Sequence, residues 1–356
     1  MKKVNNVEEY VIAPGNTLKE LLESNDMTQL DLADKTGINK KTINEIIKGK
    51  APITPVTALK LEYVFHIPAS FWNNLESKYR ERLERQKDLE SIKKEEKHLE
   101  NIPYLEMSKR NWNYIEKTKD PFEKVINLRK FFSIASLSFD TELKRKLAFH
   151  KNETKEISLE ALYCWLRYGE IKAQEIECSK FNIEQLKKQV VEIRKLVNAP
   201  FLKQYNKIQE LLKKGGVALI YEPHLPKTYM NGVSYKVSCD KAIIMISDKG
   251  KRDDILWFTL FHELAHLIKH GKKELFIDQE EGQKNTIEIE ADNYAKNILI
   301  KDSIYQKWKK QILRYTDEII LNFAKENHVS AGIVVGRLQK DGILSWNEFN
   351  HFIWKI

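Results

Sequence analysis

The chain has 356 residues, enough for two or three domains that each bury a core. Apolar residues make up 42% and charged residues 31%, and no apolar run approaches the roughly 18–20 residues needed to cross a bilayer. The net charge of +9 invites a nucleic-acid partner, yet residues 1–100 hold 17 Lys+Arg against 17 Asp+Glu, so bulk charge does not mark a DNA-binding half. The start, MKKVNNVEEY, has no apolar h-region, so no signal peptide is expected. Cys164, Cys178 and Cys239 are widely spaced and odd in number. They make neither a disulfide framework nor a zinc knuckle, and they fit a reducing cytoplasm with no membrane partner.

Residues 10–77 read as short helices separated by punctuators, within an all-α helix-turn-helix domain over 1–77. In TQLDLADKTGINKKTINEIIKG (28–49), Thr28 caps a helix with Asp31 three residues on, and Leu32 and Ala33 face inward. Gly37 allows a tight turn, Asn39 caps the next helix, Ile43 and Ile46 anchor it, and Gly49 stops it. The outward face of that second helix carries Lys40, Lys41, Asn44 and Lys48, which suit phosphates and base edges in a major groove. With Gln29 and Asn39, these are the expected DNA contacts. Between Asn39 and Lys50 stand four lysines and one acid, so the positive charge is local.

Residues 78–100, KYRERLERQKDLESIKKEEKHLE, form a mixed-charge helical connector, with Glu81 and Arg85 at the four-residue spacing that supports a solvated helix. Residues 101–198 look helical, with aromatic segments around Phe131–Phe132 and Tyr163–Trp165 that read as core, so this stretch is a helical scaffold. The pattern changes after Gly215-Gly216. VALIYE (217–222), GVSYKV (232–237) and AIIMIS (242–247) are short, β-branched and apolar, and they predict a small sheet. Asp253 or Asp254 then caps a buried helix that runs to about Lys269 and stops at Gly271. A mainly α, multidomain chain follows, with an α+β domain over 199–310 and a C-terminal helical cap over 311–356.

The buried helix contains HELAH. His262 and His266 stand four apart, so both imidazoles leave one face about one turn apart and can bind one zinc ion. Glu263 follows the first histidine and can act as general base on a water at the metal. A catalytic zinc site needs a third protein ligand. TIEIEADNYAKNI (286–298) offers Glu288 and Glu290, which point about 200° apart on a helix, so only one can face the metal. Glu288 shares its face with Ala291, Asp292 and Ala295, small residues that allow close helix approach, whereas Glu290 sits with bulky Tyr294. Glu288 is therefore the expected ligand, and Asp292 the acceptor that fixes the tautomer of a ligating histidine.

HELAH followed some twenty residues later by EIEADNYA resembles the ImmA/IrrE family of bacterial zinc metallopeptidases, relatives of the gluzincins, with Tyr294 where that family usually has Phe. The resemblance implies zinc on His262, His266 and Glu288, with Glu263 catalytic. Some metallopeptidase relatives also use a His or Tyr at the oxyanion, for which His224, Tyr235 and His270 are candidates. Residues 11–76 resemble the HigA-type antitoxin repressors, which implies operator DNA as a partner and a homodimer on a palindrome. FAKENHVSAGIVVGRLQKDGI (323–343) weakly resembles a second helix-turn-helix, with His328 in place of the turn glycine and Arg337 where an apolar anchor belongs. It also resembles the usual tail of HigA–peptidase fusion proteins.

The expected function is an antitoxin-like transcriptional regulator of the cytoplasm, tied to stress or toxin–antitoxin control. It carries a zinc-dependent endopeptidase that acts on a repressor, a toxin or itself. The rival is a non-catalytic regulator whose peptidase-like domain only senses or binds a partner.

Overall fold

The structure, a computed structural model, describes residues 13–137, 158–270 and 281–356, with side-chain burial withheld for 281–285. It is mostly helical, and it divides into two compact units, Met1–Glu95 and Glu96–Ile356. Among the described residues no helix is long and apolar enough to cross a membrane.

The first unit comprises α1 (Pro14–Ser24), α2 (Gln29–Thr36), α3 (Lys40–Ile47), α4 (Pro55–Phe65) and α5 (Ala69–Glu95). Thr28 and Asp31 form a full reciprocal capping box. The Asp31 backbone N–H donates to Thr28 Oγ1 (3.2 Å), and the Thr28 backbone N–H donates to Asp31 Oδ2 (2.9 Å). Gly37 closes α2 in the left-handed region at φ 62°, a conformation open to glycine at no steric cost. Asn39 then caps α3 by accepting from the Lys41 backbone N–H at 2.8 Å. Leu18, Leu22, Leu32, Ile43, Ile46, Leu61 and Trp72 fill the core. The mixed-charge stretch from residue 78 continues α5 without a break to Glu95, with an exposed Arg85–Glu81 ion pair at 2.7 Å. A 3-10 turn, Glu96–Asn101, then opens the second unit.

The second unit starts with α6 (Tyr104–Lys109), α7 (Pro121–Phe132), α8 (Leu159–Glu175), α9 (Ile183–Arg194) and α10 (Phe201–Lys214). Phe131 and Trp165 are fully buried, and the Phe132 and Tyr163 rings stack at 4.7 Å. The sheet has β1 (Val217–Tyr221), β3 (Lys241–Ile246) and β2 (Gly232–Ser238) side by side in that order. β1 runs parallel to β3 with Leu219 opposite Ile244, and β2 runs antiparallel to β3 with Ser234 opposite Ile244. β3 is therefore buried on both sides, and β2 is an edge.

α11 (Asp253–Ala265) packs on the sheet, with α12 (Glu281–Leu299) beside it. Leu256, Trp257, Leu260, Phe261 and Leu264 of α11 share one core with Leu219, Ile244 and Ala295. Two expectations about this helix need correction. Neither aspartate is its cap: Arg252 holds the N-cap position, and Asp253 Oδ1 instead accepts from the Phe201 backbone N–H at 2.6 Å, tying α11 to α10. The helix is also not regular to Lys269, because it turns into a π-helix over His266–His270. Gly271, its expected stop, lies outside the described residues.

α13 (Asp302–Gln311), α14 (Asp317–Glu326) and α15 (Ala331–Lys340) complete the unit. His328 sits at φ 50°, the left-handed geometry of a turn. Arg337 is no apolar anchor: it stands over the Tyr305 ring at 3.9 Å and donates to Asp302 Oδ1 (2.6 Å) and to the Ile300 carbonyl (2.7 Å). Arg194 donates to the carbonyls of Ile298, Leu299, Asn327 and His328 at 2.6–2.9 Å. The two guanidiniums thus satisfy the carbonyls that α12 leaves open at its C-terminus. Arg194→Met should strand four acceptors and lower stability by about 2–3 kcal/mol, read as a drop in denaturant midpoint at unchanged m-value. A change under ~0.5 kcal/mol would show that water replaces the guanidinium.

Candidate functional site

α11 and α12 run antiparallel, and the small residues Ala291 and Ala295 of α12 are fully buried, which lets the helices approach closely. That brings Glu288 to the two histidines. Its Oε2 lies 3.3 Å from His262 Nε2, its Oε1 lies 3.5 Å from His266 Nε2, and the two Nε2 atoms are 3.0 Å apart. Asp292, one turn on, meets His262 Nδ1 at 2.9 Å. With Nδ1 held by that carboxylate, the Nε2 lone pair of a neutral His262 points at His266 and Glu288. Glu290 turns away and pairs with His270 at 3.7 Å.

The donors fit a metal. A tetrahedral zinc with bonds of about 2.0–2.1 Å spaces its ligand atoms roughly 3.3 Å apart. The two Nε2 atoms, 3.0 Å apart, are near that spacing, and each meets its own oxygen of Glu288, at 3.3 and 3.5 Å, so one ion could reach both nitrogens and the carboxylate. Among the described residues, His262, His266 and Glu288 form a group that could hold a metal ion.

Electrostatics separate the two imidazoles. Burial pushes the His262 imidazole down, but hydrogen bonds to Asp292 and Glu288 and the charge of Glu263 outweigh it and raise the pKa to about 10. Burial lowers His266 to about 4, helped by the neighbouring cationic His262. The metal-free site therefore holds about one proton on its histidines at neutral pH.

Glu263 lines the same cleft as the two histidines. It is buried, and burial raises its carboxyl to about 7 against the lowering charge of His262 and the hydrogen bond from Ser234. Ser234 Oγ donates to Glu263 Oε2 at 2.7 Å and lies 3.0 Å from the Glu263 carbonyl. Sequence reasoning missed Ser234, because only the pleat of β2 turns it and Gly232 toward α11. A Cβ on Gly232 would stand 2.5 Å from Thr259 Cγ2 and 3.2 Å from Glu263 Cγ, so only glycine lets the strand come this near. Tyr235, on the other face of β2, is buried toward Glu170. His224 is engaged with Asp248 at 2.7 Å. Of the three oxyanion candidates, only His270 lines the cleft over the metal site, a space of about 380 Å³ that Tyr229, Asn231 and Lys340 also border.

In the first unit, Lys40, Lys41 and Lys48 are exposed and Asn44 is half-buried on one side of α3, opposite the fully buried Ile43 and Ile46. Gln29 opens α2 and is half-buried. The Asn39 Oδ1 is committed to the cap of α3, which leaves its amide nitrogen as the group to offer DNA. This is the one-sided cationic helix that a major groove accepts.

Comparison with known proteins gives two family matches. Residues 18–72 match the helix-turn-helix family, and residues 213–339 match the peptidase family described as IrrE N-terminal-like domain. Among solved structures, an addiction module antidote protein of a HigA family from Coxiella burnetii shares 33% identity. The match covers 24% of this chain and 92% of that one, with a TM-score of 0.22. No curated protein matches. The chain thus joins a DNA-binding domain of the helix-turn-helix family to a domain of the IrrE-like peptidase family, the composition of a transcriptional regulator.

Proposed function

We propose that this chain is an antitoxin-like transcriptional regulator that binds operator DNA, as a homodimer in the cytoplasm, and carries a working zinc endopeptidase. The bond it cuts lies in a regulatory protein (a repressor, a toxin or the chain itself). One observation carries the catalytic part: a buried glutamate, held by Ser234, lies beside two imidazole nitrogens and a carboxylate that converge on one point. His262, His266 and Glu288 would hold the zinc, with Asp292 fixing the His262 ring. Zinc would supply a Lewis acid that polarises a peptide carbonyl and acidifies water.

The chain's own residues do the rest. Glu263, whose carboxyl is raised by burial, can take a proton from an attacking water and later give it to the leaving amine. Ser234 keeps one Glu263 oxygen fixed, so the other faces the cleft. β2, an edge strand beside the cleft, offers backbone groups to an extended peptide.

Elemental analysis tests the metal site. Wild-type protein should hold one zinc per chain, and His262→Ala and Glu288→Ala should each lose nearly all of it. Full retention in both variants would remove the site from consideration. Zinc uptake should also release about one proton near pH 7, because the proton on His262 must leave before its nitrogen can bind. By the same sign, apparent affinity should rise about tenfold per pH unit between pH 6 and 8. Calorimetry in buffers of different ionisation enthalpy measures the release, and a value of zero would contradict the charged His262.

A further inference from the structure

We infer that the same two helices, continued beyond the metal ligands, build a side-chain pocket that selects peptides with a bulky apolar residue next to an acidic one. The inference rests on the peptidase reading for its purpose, and on independent geometry for its specificity. On α11, the turns preceding His262 carry Phe258 with Thr259, then Asp254 with Ile255. On antiparallel α12, the face that starts with Glu288 and Asp292 continues to Lys296 and then to Leu299 and Ile300. α15 closes the third side with Ile333 and Lys340. The enclosed space is about 220 Å³.

Three features give this pocket its preference. It opens into the metal cleft, because Asn231, Phe258, Thr259 and Lys340 line both spaces. Phe258 lies one helical turn, about 6 Å, from His262, so a residue one or two places from the scissile bond can reach it. The interior is apolar, formed by Ile255, Phe258, Leu299, Ile300 and Ile333, and the volume admits an aromatic or large aliphatic side chain.

Charge at the mouth supplies the second element. Along α12 the exposed face changes from carboxylates at 288 and 292 to an ammonium at Lys296, and Lys340 meets it from α15. Both lysines lie near enough to Asp292 to help lower its carboxyl, though burial and the His262 contacts act first there. Of the other charged groups of the pocket, Asp254 and Arg337 are already matched, and Asp341 lies exposed next to Lys340. Asp254 pairs with Arg252 at 2.9 Å, and Arg337 with Asp302 at 2.6 Å. Lys296 and Lys340 are thus the cations placed to meet a peptide carboxylate beside the buried side chain.

The test is binding to zinc-loaded full-length Glu263→Gln, which needs no turnover. Four fluorescent hexapeptides, alike except for a central Phe-Asp, Phe-Lys, Ala-Asp or Ala-Lys, are titrated by anisotropy. Phe-Asp should bind roughly tenfold or more tighter than Ala-Asp and than Phe-Lys. In Lys296→Glu/Lys340→Glu, one position half-buried and the other exposed, the acidic preference should reverse while the Phe preference and the zinc content stay. Equal affinity for all four peptides, or an acidic preference untouched by the double reversal, would overturn the pocket. The selective pattern without any cleavage by wild-type protein would uphold the pocket and count against the peptidase reading alone.

Discussion

Glu263→Gln should keep one zinc per chain and bind operator DNA like the wild type, yet lose peptide hydrolysis by about 10²–10⁴-fold. The glutamine is nearly isosteric and can still accept from Ser234 Oγ, so the fold around the site is retained. Glu263 is not one of the three residues whose donor atoms converge on the metal position, so zinc content should not change. What is lost is the buried carboxylate beside the metal position that would take and return a proton. The same variant should fail to derepress its own promoter where the wild type responds, under DNA damage, phage infection or other stress. Unchanged hydrolysis in the variant would mean that another group moves the proton.

The second large effect belongs to α3. Alanine at Lys40, Lys41, Asn44 and Lys48 together should weaken operator binding roughly a hundredfold or more at physiological salt. It should also flatten the dependence of log affinity on log salt by about 3 units, since three lysine–phosphate contacts would no longer release counterions. All four side chains point away from Ile43 and Ile46, so the core of the first unit should melt as before. Electrophoretic mobility shift or anisotropy across a salt series measures both quantities. If affinity and slope are unchanged, a different surface of this unit holds the DNA.

Local signals made much of this architecture legible. Thr28 with Asp31, Gly37 and Asn39 announce two short helices through contacts spanning two to four residues, and the structure adds only the reciprocal hydrogen bond of the cap. The three strands stand within a residue or two of their apolar runs. Helical periodicity was also enough to put Glu288 and Asp292, rather than Glu290, on the side of α12 that meets His262.

What escaped depends on long-range placement. Ser234 lies 29 residues before Glu263, and nothing in GVSYKV says which of its faces meets the helix. Asp253 looks like a cap in any local window, but its carboxylate serves a backbone amide 52 positions away. Arg337 looks like a defect in an apolar pattern until Asp302 and the end of α12 arrive beside it. The π turn from His266 onward has no composition of its own that a sequence window could read.

The central claim, a DNA-binding regulator that is also a zinc endopeptidase, is tested most directly by comparing protein N-termini. Cells expressing wild type and cells expressing Glu263→Gln are grown under inducing conditions, and their N-termini are profiled by mass spectrometry. At least one new N-terminus, in a repressor, a toxin or this chain's own 78–100 helix, should appear with the wild type and be absent with the variant. Identical N-terminal profiles under every inducing condition would contradict proteolysis and leave a regulator that only binds.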